Sequence, residues 1–342
     1  MRDMLTFMLN APGAWKHTNK YLESLISSRW YKSVAKLQSE TVKATFEFFQ
    51  DKGLEYSLLP STTNSVSSPK GLGSDSKPVK ITIDDKETYL IDSAQFYLEL
   101  ATRINKKGAH YIATSFRGED ADQRHLKQFF HSEAEIVGKL DDVMLLCNDY
   151  LFKLAKHLLS TSSLEIEEIT GTLQHLEKFI STKEIPQIRF SEAYDELKVN
   201  EDYVSENNFV KTITPQGEKK LMEIHGGFVW LTHFEHSSVP FYQAFDKKDP
   251  QYAKCADFLM GIGETIGCGE RHKDRNETIK ALELHQVDKA KYDWYLEMKD
   301  LSPLQTSGFG MGIERFLLWV LQHNDIRDIQ LIPRFDNYSQ IL

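Results

Sequence analysis

Cysteine is scarce: Cys147, Cys255 and Cys268 are the only three in 342 residues. They form no CxxC pair and their number is odd, which speaks against a disulfide framework and fits the reduced thiols of a cytoplasmic protein. Long hydrophobic runs are also missing. The longest of note, Phe316–Leu321, is far short of the roughly 20 residues that a membrane span needs. The stretch Met1–Trp15 has a single Arg and no uninterrupted apolar core, so it does not read as a secretory signal. No GxSxG elbow and no P-loop occur. The histidines His110, His125, His131, His233 and His236 lack the spacing of a structural zinc site. Positive charge is in deficit, 41 Lys plus Arg against 50 Asp plus Glu, a net charge of −9. That field weighs against nucleic acid as a partner unless a local basic patch overrides it.

What is present is an ordinary globular composition, 41% hydrophobic and 27% charged with 18 Gly. Val34, Leu37, Val42, Phe46 and Phe49 recur at helical spacing and predict an amphipathic helix over 30–49, ended by Gly53. A short strand over 54–60 leads into a Ser-, Pro- and Gly-rich loop over 61–80, then a hairpin turning at Asp84-Asp85 and a helix over 95–104. Strands are expected at 111–119 and 129–137, the second placing Phe129, His131, Glu133 and Glu135 on one face. A helix follows over 141–159, an exposed, weakly periodic helical stretch over 164–185, a short helix over 192–197 and a polar loop over 202–211. Buried strands at 227–234 and 265–269 precede a glycine-rich entry, Gly308 onward, into an apolar helix. Mixed elements without βαβ alternation indicate an α+β fold on an antiparallel sheet.

Three constellations carry chemistry. In the first, Arg117 and Glu119 would share a strand face, with Arg124 or His125 returned towards them by a turn and the Phe129 ring nearby; this suits a polyphosphate nucleotide, and equally a surface ion-pair cluster. The second is Gly308-Phe309-Gly310-Met311-Gly312-Ile313-Glu314-Arg315. Its alternate glycines bare one strand face for something flat, over which Arg315 can stack. The third is Asp257 with Glu264, followed by Gly267, Gly269 and Arg271. Two carboxylates converging beside triphosphate oxygens would hold Mg²⁺. Seven residues apart, they need the break that Gly261 and Gly263 supply.

Together these segments resemble the class II aminoacyl-tRNA synthetases: 36–60 resembles motif 1, Arg117 to Phe129 motif 2, and Gly308 to Arg315 motif 3, in the family's order. The likeness spans roughly 33–336, and within the class 292–334 resembles the asparaginyl-tRNA synthetase ending most closely, while 263–271 resembles the segment of the aspartyl and asparaginyl subgroup. It implies a class II synthetase-like antiparallel sheet flanked by helices over 33–342, a short N-terminal extension over 1–32 and a helical, loop-rich insertion near 160–210. No anticodon-binding barrel fits before motif 1. In that respect, and over 59–81 with Pro69 and Gly71 to Gly73, the layout is similar to the archaeal-type asparagine synthetase.

The resemblance also implies roles. Arg117 would hold the α-phosphate and Glu119 the adenine amine. Phe129 and Arg315 would cover the two faces of adenine, with Gly312 beside them, and Arg124 or His125 would meet the distal phosphates. Asp257 and Glu264 would bind Mg²⁺. Ser93, Gln95, Glu133 and Gly308 would line the amino-acid pocket and Arg271 would read the side-chain end. Arg117, Arg315 and Glu264 would be the catalytic groups.

One departure matters. Leu98 stands where aspartate-activating relatives carry Lys, which weakens the reading of a side-chain carboxylate and leaves asparagine or an unusual amino acid open. Gly118 replaces a more usual Ala, a change expected to matter little. The leading expectation is a homodimeric, ATP- and Mg²⁺-dependent enzyme that adenylates an Asp- or Asn-like amino acid and passes the acyl group to ammonia or a small amine. A minimal asparaginyl-tRNA ligase or a paralogue with another acceptor is the alternative, and a catalytically inactive sensing or partner-binding domain is a third. tRNA is possible but not favoured, and a basic face across Lys153 and Lys156 would reverse that.

Overall fold

A computed structural model describes residues 8–69, 72, 77–207 and 210–336; Gly71 and Gly73, part of the glycine-rich stretch noted above, lie outside them. The helical spacing around Val34 becomes α2 (Arg29–Asp51), preceded by α1 (Tyr21–Ser27) and capped by the Ser28 hydroxyl, which accepts from the Trp30 amide. Its buried stripe is Trp30, Val34, Leu37, Ala44, Phe48 and Phe49, while Phe46 faces outward. Next come β1 (Glu55–Tyr56), β2 (Thr62–Thr63), β3 (Lys80–Ile83), β4 (Lys86–Leu90), α3 (Gln95–Asn105), β5 (Ala109–Phe116) and β6 (Gln128–Val137). The β3–β4 turn falls at Asp84 and Asp85, both at positive φ (49° and 60°), the backbone that a two-residue hairpin turn requires.

The expected helices over 141–159 and 164–185 divide differently. One helix, α4 (Leu140–Thr170), runs through a non-helical Ser162 and ends at the left-handed Gly171, and α5 (Gln174–Ser181) follows. After β7 (Gln187–Arg189) and α6 (Phe190–Leu197), the segment read as a polar loop is a hairpin, β8 (Val204–Asn207) and β9 (Val210–Ile213), leading into α7 (Pro215–Ile224). The chain closes with β10 (Phe228–Thr232), β11 (Cys255–Met260), β12 (Gly263–Glu270), α8 (Arg275–Leu284), α9 (Asp293–Leu301), β13 (Thr306–Gly312) and α10 (Ile313–Val320).

Eight strands form one sheet in the order β1-β5-β6-β13-β12-β11-β10-β7. The expected antiparallel pairing holds through its centre, and the edge pairs β1–β5 and β7–β10 are parallel. Helices α2, α4 and α10 cover one face, where Ala134, Phe258, Ile266, Phe309 and Met311 join the main core. A smaller core of Ile188, Phe190, Leu197, Leu221 and Leu231 seats the inserted α6 and α7 against the far edge. No described helix is long and apolar enough to cross a membrane.

Candidate active site

Since β-strand residues alternate between faces, the strands that send Ala134, Ile266 and Phe309 into the core turn their other residues the opposite way. There His131, Glu133 and Glu135 of β6 stand opposite Gly312, Gly310 and Gly308 of β13, which in turn face Gly267 and Gly269 of β12. These glycines make room for charged neighbours. A Cβ at Gly308 would collide with the Glu135 carboxylate and one at Gly269 with the Gln243 amide; at Gly310 it would lie 3.1 Å from Glu133 Oε1 and at Gly267 2.9 Å from Glu264 Oε1. The bare face expected from the glycine spacing is thus a floor on which functional side chains lie.

A cleft of about 620 Å³ opens on this floor, and Arg117, Glu119, Arg124, His125, Phe129, Glu264, Gly312 and Arg315 all line it. Arg117 and Glu119 reach it from a loop, because β5 ends at Phe116 and not at Glu119. The strand ladder stops where the Arg117 amide turns to the Lys127 carbonyl and the Gly118 amide to the Lys77 carbonyl, 2.9 and 2.8 Å away. Glu119 Oε1 accepts from the Lys77 amide at 2.9 Å. Its Oε2, together with Nε of Arg117 and of Arg124, is buried without a protein partner. Such unmet groups are costly, and an acceptor with two guanidinium donors around one cleft matches the amine and phosphates of ATP. The Arg117 guanidinium lies 5.5 Å over the Phe129 ring.

Gly118 corrects an expectation. A Cβ there would lie 2.6 Å from the Lys77 carbonyl oxygen, too close without backbone movement. Gly118→Ala is therefore expected to push the Lys77 segment off Glu119 and, with Glu119 in the adenine-binding role the resemblance implies, to raise the KM for ATP by roughly fivefold to tenfold, the equivalent of about one lost hydrogen bond; steady-state kinetics with ATP varied will read it.

Arg124 donates to Glu218 at 2.7 Å. Glu218 comes from the inserted α7, and no spacing rule links it to a partner 94 residues away. Burial raises its carboxyl pKa, with Arg124 opposing. His125 is held below its ordinary pKa by burial and by Arg315, and it bonds Asp122. Asp257 is not among the residues lining the cleft but stands beside Glu264 on the same floor: its Oδ1 would be 3.6 Å from a Cβ at Gly267, on the side where Glu264 reaches over. The tight turn at Gly261 (φ 67°) and the register shift between Phe258 and Leu259 bring the two carboxylates to one face. Burial, then Glu264, push Asp257 well above the usual carboxylate range, a repulsion that a bound cation would relieve. Among the described residues no group of three or more His, Cys, Asp or Glu forms a metal cage; a two-carboxylate set suits Mg²⁺, which takes its other ligands from phosphate and water.

Beside the cleft, Glu133 accepts from Ser93 Oγ (2.8 Å) and Tyr111 Oη (2.6 Å) and pairs with His131 Nδ1 at 3.0 Å. Burial favours its neutral form, yet these partners, His131 foremost, hold it below the usual carboxylate range. Gln95 is buried next to this group with Nε2 unpartnered. Arg271 donates through Nε and Nη2 to Glu135 at 3.2–3.3 Å and through Nη1 to Gln243 Oε1 at 3.2 Å. Burial lifts the Glu135 carboxyl to about 7, with Arg271 pulling the other way. Sequence reasoning therefore found Arg271 and placed Glu135 on the same strand face as Glu133, but not the pairing of Arg271 with Glu135. Leu98 does not reach into this pocket; it is 1% exposed, in a core with Ile91, Ala94, Ala109 and Tyr111.

A second buried charge group adjoins the site. Glu99 and Lys299 are both fully buried. Glu99 accepts from Lys299 Nζ at 2.7 Å, from Arg103 Nη1 at 3.2 Å and from Tyr295 Oη. Four-residue steps along α3, from Gln95 to Glu99 to Arg103, were the available signal; residues of these types are seldom fully buried unless paired. Lys153 is paired with Glu47 at 3.0 Å, and the same α2–α4 surface carries the pairs Lys36–Glu165 and Lys52–Asp149, so it is not the bare basic face that would have argued for RNA.

A family profile for class II tRNA synthetases (D, K and N) matches residues 15–336. An asparagine–tRNA ligase of Thermoplasma acidophilum is 25% identical over 90% of this chain and 70% of its own length. One of Thermococcus gammatolerans is 30% identical over 75% of this chain and 59% of its own. Among solved structures, asparaginyl-tRNA synthetase from Pyrococcus horikoshii complexed with asparaginyl-adenylate superposes with a TM-score of 0.85 at 25% identity, over 93% of this chain and 72% of that one. These relatives overturn the expectation that tRNA is disfavoured as a partner, and they lend no support to ammonia as the acceptor.

Proposed function

Because the chain belongs to the class II tRNA synthetases (D, K and N), we propose that it activates asparagine with ATP as an acyl-adenylate and transfers the acyl group to tRNA. The observation that carries the choice of amino acid is the Arg271–Glu135 pair. A guanidinium already neutralised by a carboxylate offers little to a second carboxylate, whereas a side-chain amide can accept from the arginine and donate to the acid. With Leu98 in the core, no further cation reaches the pocket from that position.

In this reading the asparagine ammonium sits on Glu133, which stays ionised for it, with Ser93 and Gln95 alongside. Phe129 and Arg315 hold the adenine ring, Glu119 accepts its amine, and Arg117 takes the α-phosphate, setting the asparagine carboxylate in line for attack as pyrophosphate departs. Arg124 or His125 meets the leaving phosphates. Asp257 and Glu264 would hold Mg²⁺, which supplies charge neutralisation to the phosphates. Positioning and preorganised charge would give most of the acceleration. Dimerisation through the edge strand β1 and α2 fits the exposed Phe46, Tyr56 and Leu58 there, and light scattering will measure it.

The test is asparagine- and aspartate-dependent ATP–pyrophosphate exchange, followed by acylation of total tRNA. Exchange with asparagine well above aspartate, with label appearing on tRNA, is the expected result. Exchange only with aspartate, or release of free asparagine when ammonium is added, would overturn it.

A further inference from the structure

The loop over 117–127 carries four of the proposed ATP ligands, yet several of its bonds leave it for the end of the chain. The Ile326 amide donates to the Gln123 carbonyl at 2.9 Å, immediately before Arg124, and the Lys127 amide donates to the Arg334 carbonyl at 2.9 Å. Asp336 accepts from the Ala121 amide at 2.8 Å and from Lys127 Nζ at 2.7 Å. Ile326 itself lines the cleft.

That C-terminal run has little regular structure of its own beyond a single 3₁₀ turn, Ile326–Asp328. It is tied down from the other end of the chain. Trp15 Nε1 donates to Asp328 Oδ1 at 3.0 Å, Trp30 Nε1 to the Asp328 carbonyl at 2.9 Å and Gln38 Nε2 to the Ile329 carbonyl at 2.8 Å. The Arg327 guanidinium lies 3.7 Å over the Trp15 ring. The same guanidinium grips Asp325 twice, at 2.8 and 2.7 Å, so its plane is fixed by the indole on one side and by a carboxylate next to Ile326 on the other. A stacked and bidentate arginine loses little freedom when it binds.

We infer that the N-terminal segment is a positioning element for the ATP loop, with Trp15 acting through Arg327, Asp325 and Ile326 on the loop that bears Arg124 and His125. Trp15 touches no reacting atom. Its effect is to hold the C-terminal run in the register that fixes Gln123, and hence to preorganise the phosphate-binding side chains.

The experiment compares the full chain with Trp15→Ala and Trp15→Phe by hydrogen exchange over residues 117–127 without nucleotide, and by asparagine-dependent exchange kinetics. Trp15→Ala should speed exchange in the loop and raise the KM for ATP by roughly fivefold to tenfold, with the KM for asparagine and kcat within about twofold, as expected when coupling is carried by packed contacts. Trp15→Phe keeps a ring over Arg327 and should recover part of both effects. Unchanged loop exchange in folded Trp15→Ala, or equal losses in all kinetic constants, would overturn the proposal. If Trp15→Ala does not fold, Arg327→Lys, which keeps the charge but not the double grip on Asp325, must show the same split. The kinetic arm rests on the proposed function, whereas the hydrogen-exchange arm does not: absent activity in the unaltered protein would sink that function and leave the clamp to be decided by exchange alone.

Discussion

Glu99→Ala is expected to destabilise the protein by about 3–5 kcal/mol, the range for removing one member of a buried ion pair. The reason is what stays behind. Lys299, fully buried, would keep only the His272 carbonyl as a hydrogen-bond acceptor, beside the Tyr295 ring, and Arg103 would keep carbonyls alone. Burial already lowers the Lys299 pKa, with Glu99 opposing it, so loss of the anion would drive the ammonium towards neutrality. Such a loss is a large fraction of the roughly 5–15 kcal/mol that holds a domain together. Urea unfolding will show it as a lowered midpoint with an unchanged slope. A paired Glu99→Gln, Lys299→Met variant removes one charge of each sign and should recover much of the stability; no recovery would mean that packing, not charge, sets the loss.

Glu135→Gln should change substrate choice more than stability. The amide keeps the shape and one acceptor for Arg271, but it no longer cancels the guanidinium charge. Aspartate activation should then rise relative to asparagine by about 10- to 100-fold in kcat/KM, a swing of 1.4–2.7 kcal/mol. The unaltered protein should show a milder form of the same effect with pH. Burial places the Glu135 carboxyl at about 7, so below that pH it gains a proton, the net charge beside Arg271 becomes more positive, and discrimination against aspartate weakens. Above it the carboxylate returns and discrimination recovers. Glu135→Gln should abolish this pH dependence in competition assays; its persistence would assign the titration to another group.

Legibility in the sequence followed the range of the forces involved. The stripe around Val34, the Asp84-Asp85 turn and the alternation of β6 were readable because each reflects a local period or a backbone preference. The alternate glycines showed a bare strand face, and the carboxylates that fill it lay only one strand away. Arg117 to Glu119 looked like strand because the residues alternate; what ends β5 is the carbonyl of Lys77, 41 residues earlier in sequence than Gly118. The hairpin over 204–213 escaped detection because its strands are only four residues each and mostly polar, with Val204 and Ile213 alone packing against the neighbouring core. Glu218 and Lys299, and the pairing of Glu135 with Arg271, were invisible for one shared reason: a buried charge is tolerated only through its partner, and the partner is supplied by tertiary structure. Leu98 was placed correctly on a helix; that it joins a core with Ile91, Ala94, Ala109 and Tyr111 was not legible, since helical spacing does not say which apolar neighbours a face will meet.

The glycine floor has a consequence for anyone wishing to redesign this enzyme. Gly267, Gly269, Gly308 and Gly310 contribute no side-chain chemistry, and each is occupied from above by Glu264, Gln243, Glu135 or Glu133. In the proposed function, selectivity would therefore be stored in the walls and not in the strands that support them. A mutant library aimed at a new amino acid would do best to vary 95, 133, 135 and 243 together and leave the four glycines untouched, because a methyl group at Gly308 or Gly269 would evict the wall residue above it and one at Gly267 or Gly310 would press on the carboxylate there.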